Sequence, residues 1–262
     1  MLLQLDAGNT RLKWRLLEGG VERVLARGAL VRADFESSTL LLARLSAELH
    51  LIVPENSLSL SLVAVASVAG AEFDDDLVLW SRRQYGLGVE FAVVTARAAG
   101  VEVGYDSPAL LGVDRWLAVL AASKEQGFER IIIADCGSAI TVDILDTGIH
   151  RGGYIVPGLR LMRGALFDET SQVRVAASAS VAGDAPGRST VEAVQRGVLL
   201  MAAAFIERLC RKLAGEGEGC LLLLTGGDSS AIAELLEVDV VVQQRHDLVL
   251  DGLALSDFCR KA

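Results

Sequence analysis

The chain has 262 residues, 52% of them hydrophobic and 23% charged, with a formal net charge of −9. That apolar share supplies sizeable cores and excludes a disordered chain, and the acidic balance disfavours a broad phosphate-backbone surface, so nucleic acid is not expected as a partner. No apolar run reaches the roughly 18 residues of a membrane span, since the longest stretch, Leu58 to Ala71, is diluted by serines and a glycine.

Leu2 to Asp6 is an apolar run closed by an acid, Ala7-Gly8-Asn9-Thr10 carries turn chemistry, and Arg11 to Leu17 alternates like a strand up to Gly19-Gly20. The spacing then predicts a strand over Val21 to Leu30, a helix over Ser37 to His50 and a strand over Leu58 to Ala66. A helix over Asp74 to Tyr85 and a strand over Val89 to Val94 follow. A Gly/Pro-bearing stretch from Ala99 to Gly112 leads into a helix over Val113 to Gln126, with Trp116, Leu117, Leu120 and Ala121 on one face. A domain transition is expected at its end, giving an N-terminal domain 1–127 and a C-terminal domain 128–262.

Beyond it the opening pattern repeats. Arg130 to Asp135 is an apolar strand closed by an acid, Cys136-Gly137-Ser138 a turn, Ala139 to Leu145 a strand, and Ile149 to Val156 a third strand. Helices are predicted over Thr190 to Ala214, Ser229 to Glu237 and Leu248 to Cys259, with a strand over Cys220 to Leu224. Asp6-Ala7-Gly8-Asn9 and Asp135-Cys136-Gly137-Ser138 thus share acid, spacer, glycine and small polar residue at such long spacing that they indicate two related halves. The start of the chain lacks a basic stretch followed by an apolar segment, so no secretory signal is expected and the protein is placed in the cytoplasm. Cys136, Cys210, Cys220 and Cys259 are scattered, and His50, His150 and His246 stand away from them, which argues against a zinc site or a disulfide framework.

A strand ending in Asp-x-Gly sets a carboxylate beside open backbone, and successive amide hydrogens there can form an anion-binding concavity. One such turn is an ordinary hairpin. Two, facing each other across a cleft, would grip a polyphosphate from both sides while the aspartates orient a hydrated cation and Lys13 neutralises phosphate charge. In Leu111-Gly112-Val113-Asp114-Arg115-Trp116 the acid stands where a helix begins; it either favours the helix dipole or accepts the proton of a substrate hydroxyl. Arg115 is either surface charge or a bidentate holder of an anionic group. The glycines of Thr225-Gly226-Gly227-Asp228 either admit a nucleotide or make a tight strand-to-helix connection, and Gly152 to Gly158 is either a site loop or a structural corner.

Taken together these residues resemble the type III pantothenate kinases, of the superfamily of actin, heat-shock ATPases and sugar kinases. The resemblance runs nearly end to end through Asp6 to Lys13, Gly104-Tyr105, Leu111 to Arg115, Asp135 to Ser138, Gly152 to Gly158, Gly187 to Thr190 and Thr225 to Asp228. It implies an α/β fold of duplicated ribonuclease-H-like (actin-like ATPase) domains with a nucleotide cleft between them. It implies ATP with Mg2+ held by Asp6, Ala7, Gly8, Asn9, Thr10, Arg11, Leu12 and Lys13 and by Ser138, and a monovalent cation, K+ or NH4+, at Asp135. Pantothenate would be contacted by Tyr105, Gly112, Val113, Asp114, Arg115 and Thr190, with Asp114 as catalytic base and Arg115 on the substrate carboxylate. The same resemblance implies a homodimer and the product 4'-phosphopantothenate, the first intermediate toward coenzyme A. The family's second turn usually reads Asp-x-Gly-Thr; Ser138 keeps the hydroxyl of that threonine and loses its methyl, which loosens the rotamer. Two other readings stand beside this one: an accessory factor for transcription, which would have no need of Asp114 as a base, and another phosphotransferase or phosphatase of the superfamily, since fold and ATP site do not fix the acceptor.

Overall fold

The opening apolar run forms a strand buried on both faces, β1 (Leu2–Ala7), in the computed structural model, which describes residues 1–19, 23–53, 59–168, 183–214 and 219–261. Leu3 and Leu5 are fully buried, each worth about 1.5–3 kcal/mol relative to exposure. Gln4 is buried beside them, its Oε1 accepting a 2.9 Å bond from Nε of Arg15, so the polar side chain in the core is satisfied. Next come β2 (Arg11–Leu17), β3 (Val24–Val31), α1 (Ser38–Ile52), β4 (Leu62–Ser67), α2 (Ala71–Tyr85) and β5 (Val89–Val93). Helix α1 starts where Ser37 caps it, accepting from the Leu40 amide, and Gly86 in the left-handed region (φ 68°) ends α2. Val21 and Glu22 of the expected third strand and Leu58 of the expected fourth lie outside the described residues.

The short strands β6 (Arg97–Ala98) and β7 (Val101–Glu102) lead to α3 (Val113–Ala122). The remaining elements are β8 (Arg130–Cys136), β9 (Ala139–Asp146), β10 (Ile149–Pro157), α4 (Leu159–Asp168), α5 (Thr190–Leu213), β11 (Cys220–Thr225), α6 (Ser229–Ala233), β12 (Val241–Gln244), α7 (Leu248–Leu253) and β13 (Asp257–Lys261). The chain divides into two compact units, one of Met1–Gly100, Tyr105–Ala121 and Val249–Ala262, the other of Val101–Gly104 and Ala122–Leu248.

In the first unit the strands run in the order β13-β5-β4-β1-β2-β3. β1, β2 and β3 form an antiparallel meander, while β4 lies parallel to β1 and β5 parallel to β4. The second unit repeats this plan: β8, β9 and β10 form the meander, β11 runs parallel to β8 and β12 parallel to β11. Within that unit the sheet is ordered β12-β11-β8-β9-β10-β7. Over five strands of each, β5-β4-β1-β2-β3 and β12-β11-β8-β9-β10, order and directions are the same, which makes the fold a duplicated ribonuclease-H-like α/β architecture. Each unit has its own core, the second formed where the stripe Val198, Leu199, Ala202, Ala203, Ile206 and Leu209 of α5 covers the sheet.

Four local expectations change. The final segment is not one helix: α7 stops at Leu253, and β13 pairs antiparallel with β5, because the outer edge of β5 offers backbone partners that periodicity cannot foresee. α3 ends at Ala122 and is buried all round from Arg115 to Ala122, not on one face. α6 is a short helix, ending at Ala233. α4 and β12 were not expected from the sequence; α4 contains Gly164 and packs on α5. Among the described residues no helix is long and apolar enough to cross a membrane.

Candidate active site

The first corner joins β1 to β2. Asp6 stands opposite Lys13 across the hairpin, with Nζ of Lys13 3.8 Å from Oδ2 of Asp6. Ala7 and Leu12, between them, are buried, so their side chains belong to the core and only their backbone is available to a ligand. Gly8, Asn9 and Thr10 form the loop before Arg11 opens β2, and the carbonyls of Ala7, Gly8, Thr10 and Arg11 all accept hydrogen bonds from the protein. The Gly8 amide donates to the Arg11 carbonyl (3.0 Å), the Val68 amide to that of Ala7 (3.0 Å), and the Arg32 amide to that of Thr10 (2.9 Å). Nη1 of Arg32 donates to the Gly8 carbonyl at 3.1 Å, and its guanidinium lies 4.5 Å from the ring centre of Phe73. No motif pointed to Arg32, because its partners are far away in sequence.

The second corner joins β8 to β9 through Gly137 and Ser138, one residue fewer than the first, with the Gly137 amide donating to the Ala139 carbonyl at 3.0 Å. Two other glycine motifs converge on it. The Gly158 amide donates to the Ser138 carbonyl at 3.1 Å, and a Cβ on Gly158 would lie 2.5 Å from that oxygen and 2.3 Å from the Gly137 oxygen. Gly226 adopts φ +91°, and a Cβ there would lie 2.4 Å from the Cys136 carbonyl carbon and 2.5 Å from Oδ1 of Asp135. The Asp228 amide donates to the Cys136 carbonyl at 2.9 Å. Gly158 and Gly226 therefore pack closely on the backbone of this corner, where a side chain at either position would displace it. Asp135 is half-buried and Ser138 exposed. The buried thiol of Cys136 is pushed up to about 12 by burial first and then by the charges of Asp135 and Asp228, so it stays protonated at neutral pH.

A third cluster lies in the first unit, where α3 begins. The Trp116 amide donates to the Gly112 carbonyl at 3.0 Å, opening the helix, and Oδ1 of Asp114 accepts from the Arg115 amide at 2.8 Å. A Cβ on Gly112 would lie 2.6 Å from that same Oδ1, so a side chain there would make the carboxylate shift from this position. Arg115 is 6% exposed, which rules out a solvated surface charge. Its Nη1 donates to the Tyr105 hydroxyl at 2.7 Å, and its guanidinium lies 5.6 Å from the Tyr105 ring centre. Tyr105, Gly112, Asp114 and Arg115 are thus brought together, with Val113 as the half-buried first residue of the helix.

Thr190 belongs to the second unit, exposed at the first position of α5. Ser189 caps that helix, accepting from the Glu192 amide at 3.2 Å, while the Arg188 amide donates to the Glu192 carboxylate at 2.8 Å. A Cβ on Gly187 would lie 2.3 Å from the Ala193 amide nitrogen, so the Gly187-Arg188-Ser189-Thr190 string is a tightly folded helix entry.

A repeated ribonuclease-H-like unit with an acid-glycine corner at the end of a parallel-paired strand defines a fold class, the one shared by actin and the sugar kinases. Among solved structures, a Campylobacter jejuni protein whose name refers to the Baf family of transcriptional activators superposes with a TM-score of 0.58 at 18% identity, covering 96% of this chain and 95% of that one. That likeness concerns the fold alone. Residues 2–212 match the family model of the type III pantothenate kinases. A type III pantothenate kinase of Chromohalobacter salexigens is 40% identical over 258 residues, covering 97% of this chain and 86% of that protein. One from Alcanivorax borkumensis is 35% identical over 258 residues, 97% of each. The chain belongs to the type III pantothenate kinases, enzymes that phosphorylate pantothenate in the first step of coenzyme A biosynthesis.

Proposed function

We propose that this reaction runs between ATP held by the residues of the two acid-glycine corners and pantothenate held by Tyr105, Gly112, Val113, Asp114, Arg115 and Thr190. The observation that carries the reading is the Gly112–Arg115 cluster: a carboxylate with its space kept open by glycine, one residue from a buried guanidinium steadied by a phenol. Arg115 takes the substrate carboxylate bidentately. Asp114 accepts the proton of the substrate's primary hydroxyl as that oxygen bonds to the γ-phosphorus, the bond to the β-phosphate oxygen breaks, and ADP leaves.

The family uses ATP with a divalent metal. Magnesium neutralises charge on the β- and γ-phosphates when bound, and Asp6 is the half-buried carboxylate suited to orient it. The 3.8 Å pair of Lys13 with Asp6 is partly exposed and costs little to exchange for a phosphate. The exposed hydroxyl of Ser138 bonds the nucleotide. Oδ1 of Asp135 and the carbonyl oxygen of Cys136 both stand beside Gly226, oxygen donors of the kind a hard cation takes, and this supports K+ or NH4+ there. The enzyme acts as a homodimer in the cytoplasm.

The test is Arg115→Ala in steady-state kinetics. KM for pantothenate should rise about tenfold or more while KM for ATP holds, the cost of losing a charge-assisted hydrogen-bonding group. An unchanged response to pantothenate concentration would contradict the assignment. Replacing potassium by sodium should slow the reaction, and equal rates in both salts would remove the cation from Asp135.

A further inference from the structure

Arg32 follows β3 directly and binds the first corner twice, through its amide to Thr10 (2.9 Å) and through Nη1 to Gly8 (3.1 Å). One residue thus occupies two carbonyls of the loop Gly8 to Thr10. A phosphate is repelled by carbonyl oxygens and attracted by amide hydrogens, so an anion seat requires its acceptors to be drawn away from the ligand. A trans peptide places its N–H opposite its C=O. Fixing the Gly8 carbonyl on Arg32 therefore turns the amide hydrogen of Asn9, an exposed residue, to the other side of that peptide. Phe73, 2% exposed on α2, faces the guanidinium at 4.5 Å and restrains it from swinging into solvent.

We infer that Arg32 is a positioning residue for ATP, turning the Gly8–Asn9 peptide toward the polyphosphate and keeping a positive charge behind the loop. It acts through the loop and has no role in holding pantothenate. The inference rests on the first corner being a seat for ATP.

The test uses the full chain as Arg32→Gln and Arg32→Lys, measuring binding of a non-hydrolysable ATP analogue with magnesium, KM for both substrates, and the thermal midpoint. Arg32→Gln should bind the analogue about tenfold more weakly and raise KM for ATP alike, with KM for pantothenate and the midpoint near those of the parent, as expected for loss of a charge-assisted bond. Arg32→Lys keeps the charge and a donor and should recover most of the affinity. Unchanged ATP affinity in the Gln variant overturns the inference, as does an equal loss for both substrates with a lowered midpoint. Should the Gln variant fail to fold, Arg32→Met decides, because it keeps the stem against Phe73 and removes the charge and the donor: a rise of about tenfold in KM for ATP alone supports the inference and no change overturns it. Analogue binding that is indifferent to Asp6→Ala and Ser138→Ala would sink the corner as an ATP seat, and Arg32 with it. Sensitivity to those two without any response at Arg32 would sink the Arg32 inference alone.

Discussion

Carboxylates in the first turn of a helix ordinarily serve the helix, and Asp114 does accept the amide of Arg115 at 2.8 Å. Stability alone would not require glycine at 112, yet a Cβ there would come within 2.6 Å of the Asp114 carboxylate. Asp114→Asn keeps the size and one acceptor oxygen, so the fold and binding of an ATP analogue should persist while kcat falls about 10²- to 10⁴-fold. Near-normal turnover would remove Asp114 as the base. Gly112→Ala should displace the carboxylate and lower kcat/KM by about 10²-fold, the order expected for a misplacement near 1 Å, with analogue binding retained; activity close to the parent's would contradict the spatial argument. This cluster was legible in the sequence because glycine, acid and base are near neighbours in the chain. Arg32 was not, since its contacts with Gly8 and Phe73 exist only once β3 has paired with β2 and α2 has packed beneath.

Elements whose character resides in their own residues were readable: the meander strands by their apolar runs and α1 by apolar residues at helical spacing. Elements defined by a neighbour were not. β13 exists because β5 has an edge to pair with, and α4, with glycine in its middle, is sustained by packing on α5. The strand-to-helix connection at Thr225-Gly226-Gly227-Asp228 shows the same division. Its glycines were visible, but only the fold reveals that Gly226 presses on the backbone of Cys136. Gly226→Ala meets both a positive φ and that contact, so it should lower stability by about 1–3 kcal/mol or more, reducing the thermal midpoint by about 2–4 °C per kcal/mol. An unchanged melting curve would contradict the close approach.

Across the whole molecule, the duplication announced by the two acid-glycine strings reappears as five strands in each unit with one order and one set of directions. Burial has a chemical consequence in the second unit. The thiols of Cys136 and Cys210 are pushed up to about 12, chiefly by burial, and that of Cys220 is raised for the same reason, while Cys259 is exposed. A thiol reagent at pH 8 should therefore modify Cys259 rapidly and the other three only on unfolding; rapid reaction of all in the native state would contradict this packing. Stability contributed by these protonated thiols is full below their ordinary value of 9.0 and is lost as pH rises from there toward 12. The central claim is phosphoryl transfer to pantothenate with Asp114 as base. It is tested most directly by incubating the purified chain with ATP, magnesium, potassium and pantothenate and following the products by mass spectrometry. The account predicts 4'-phosphopantothenate and ADP in equal amounts from the parent chain and almost none from Asp114→Asn, whereas no phosphorylated product from a folded chain that binds the ATP analogue would contradict it.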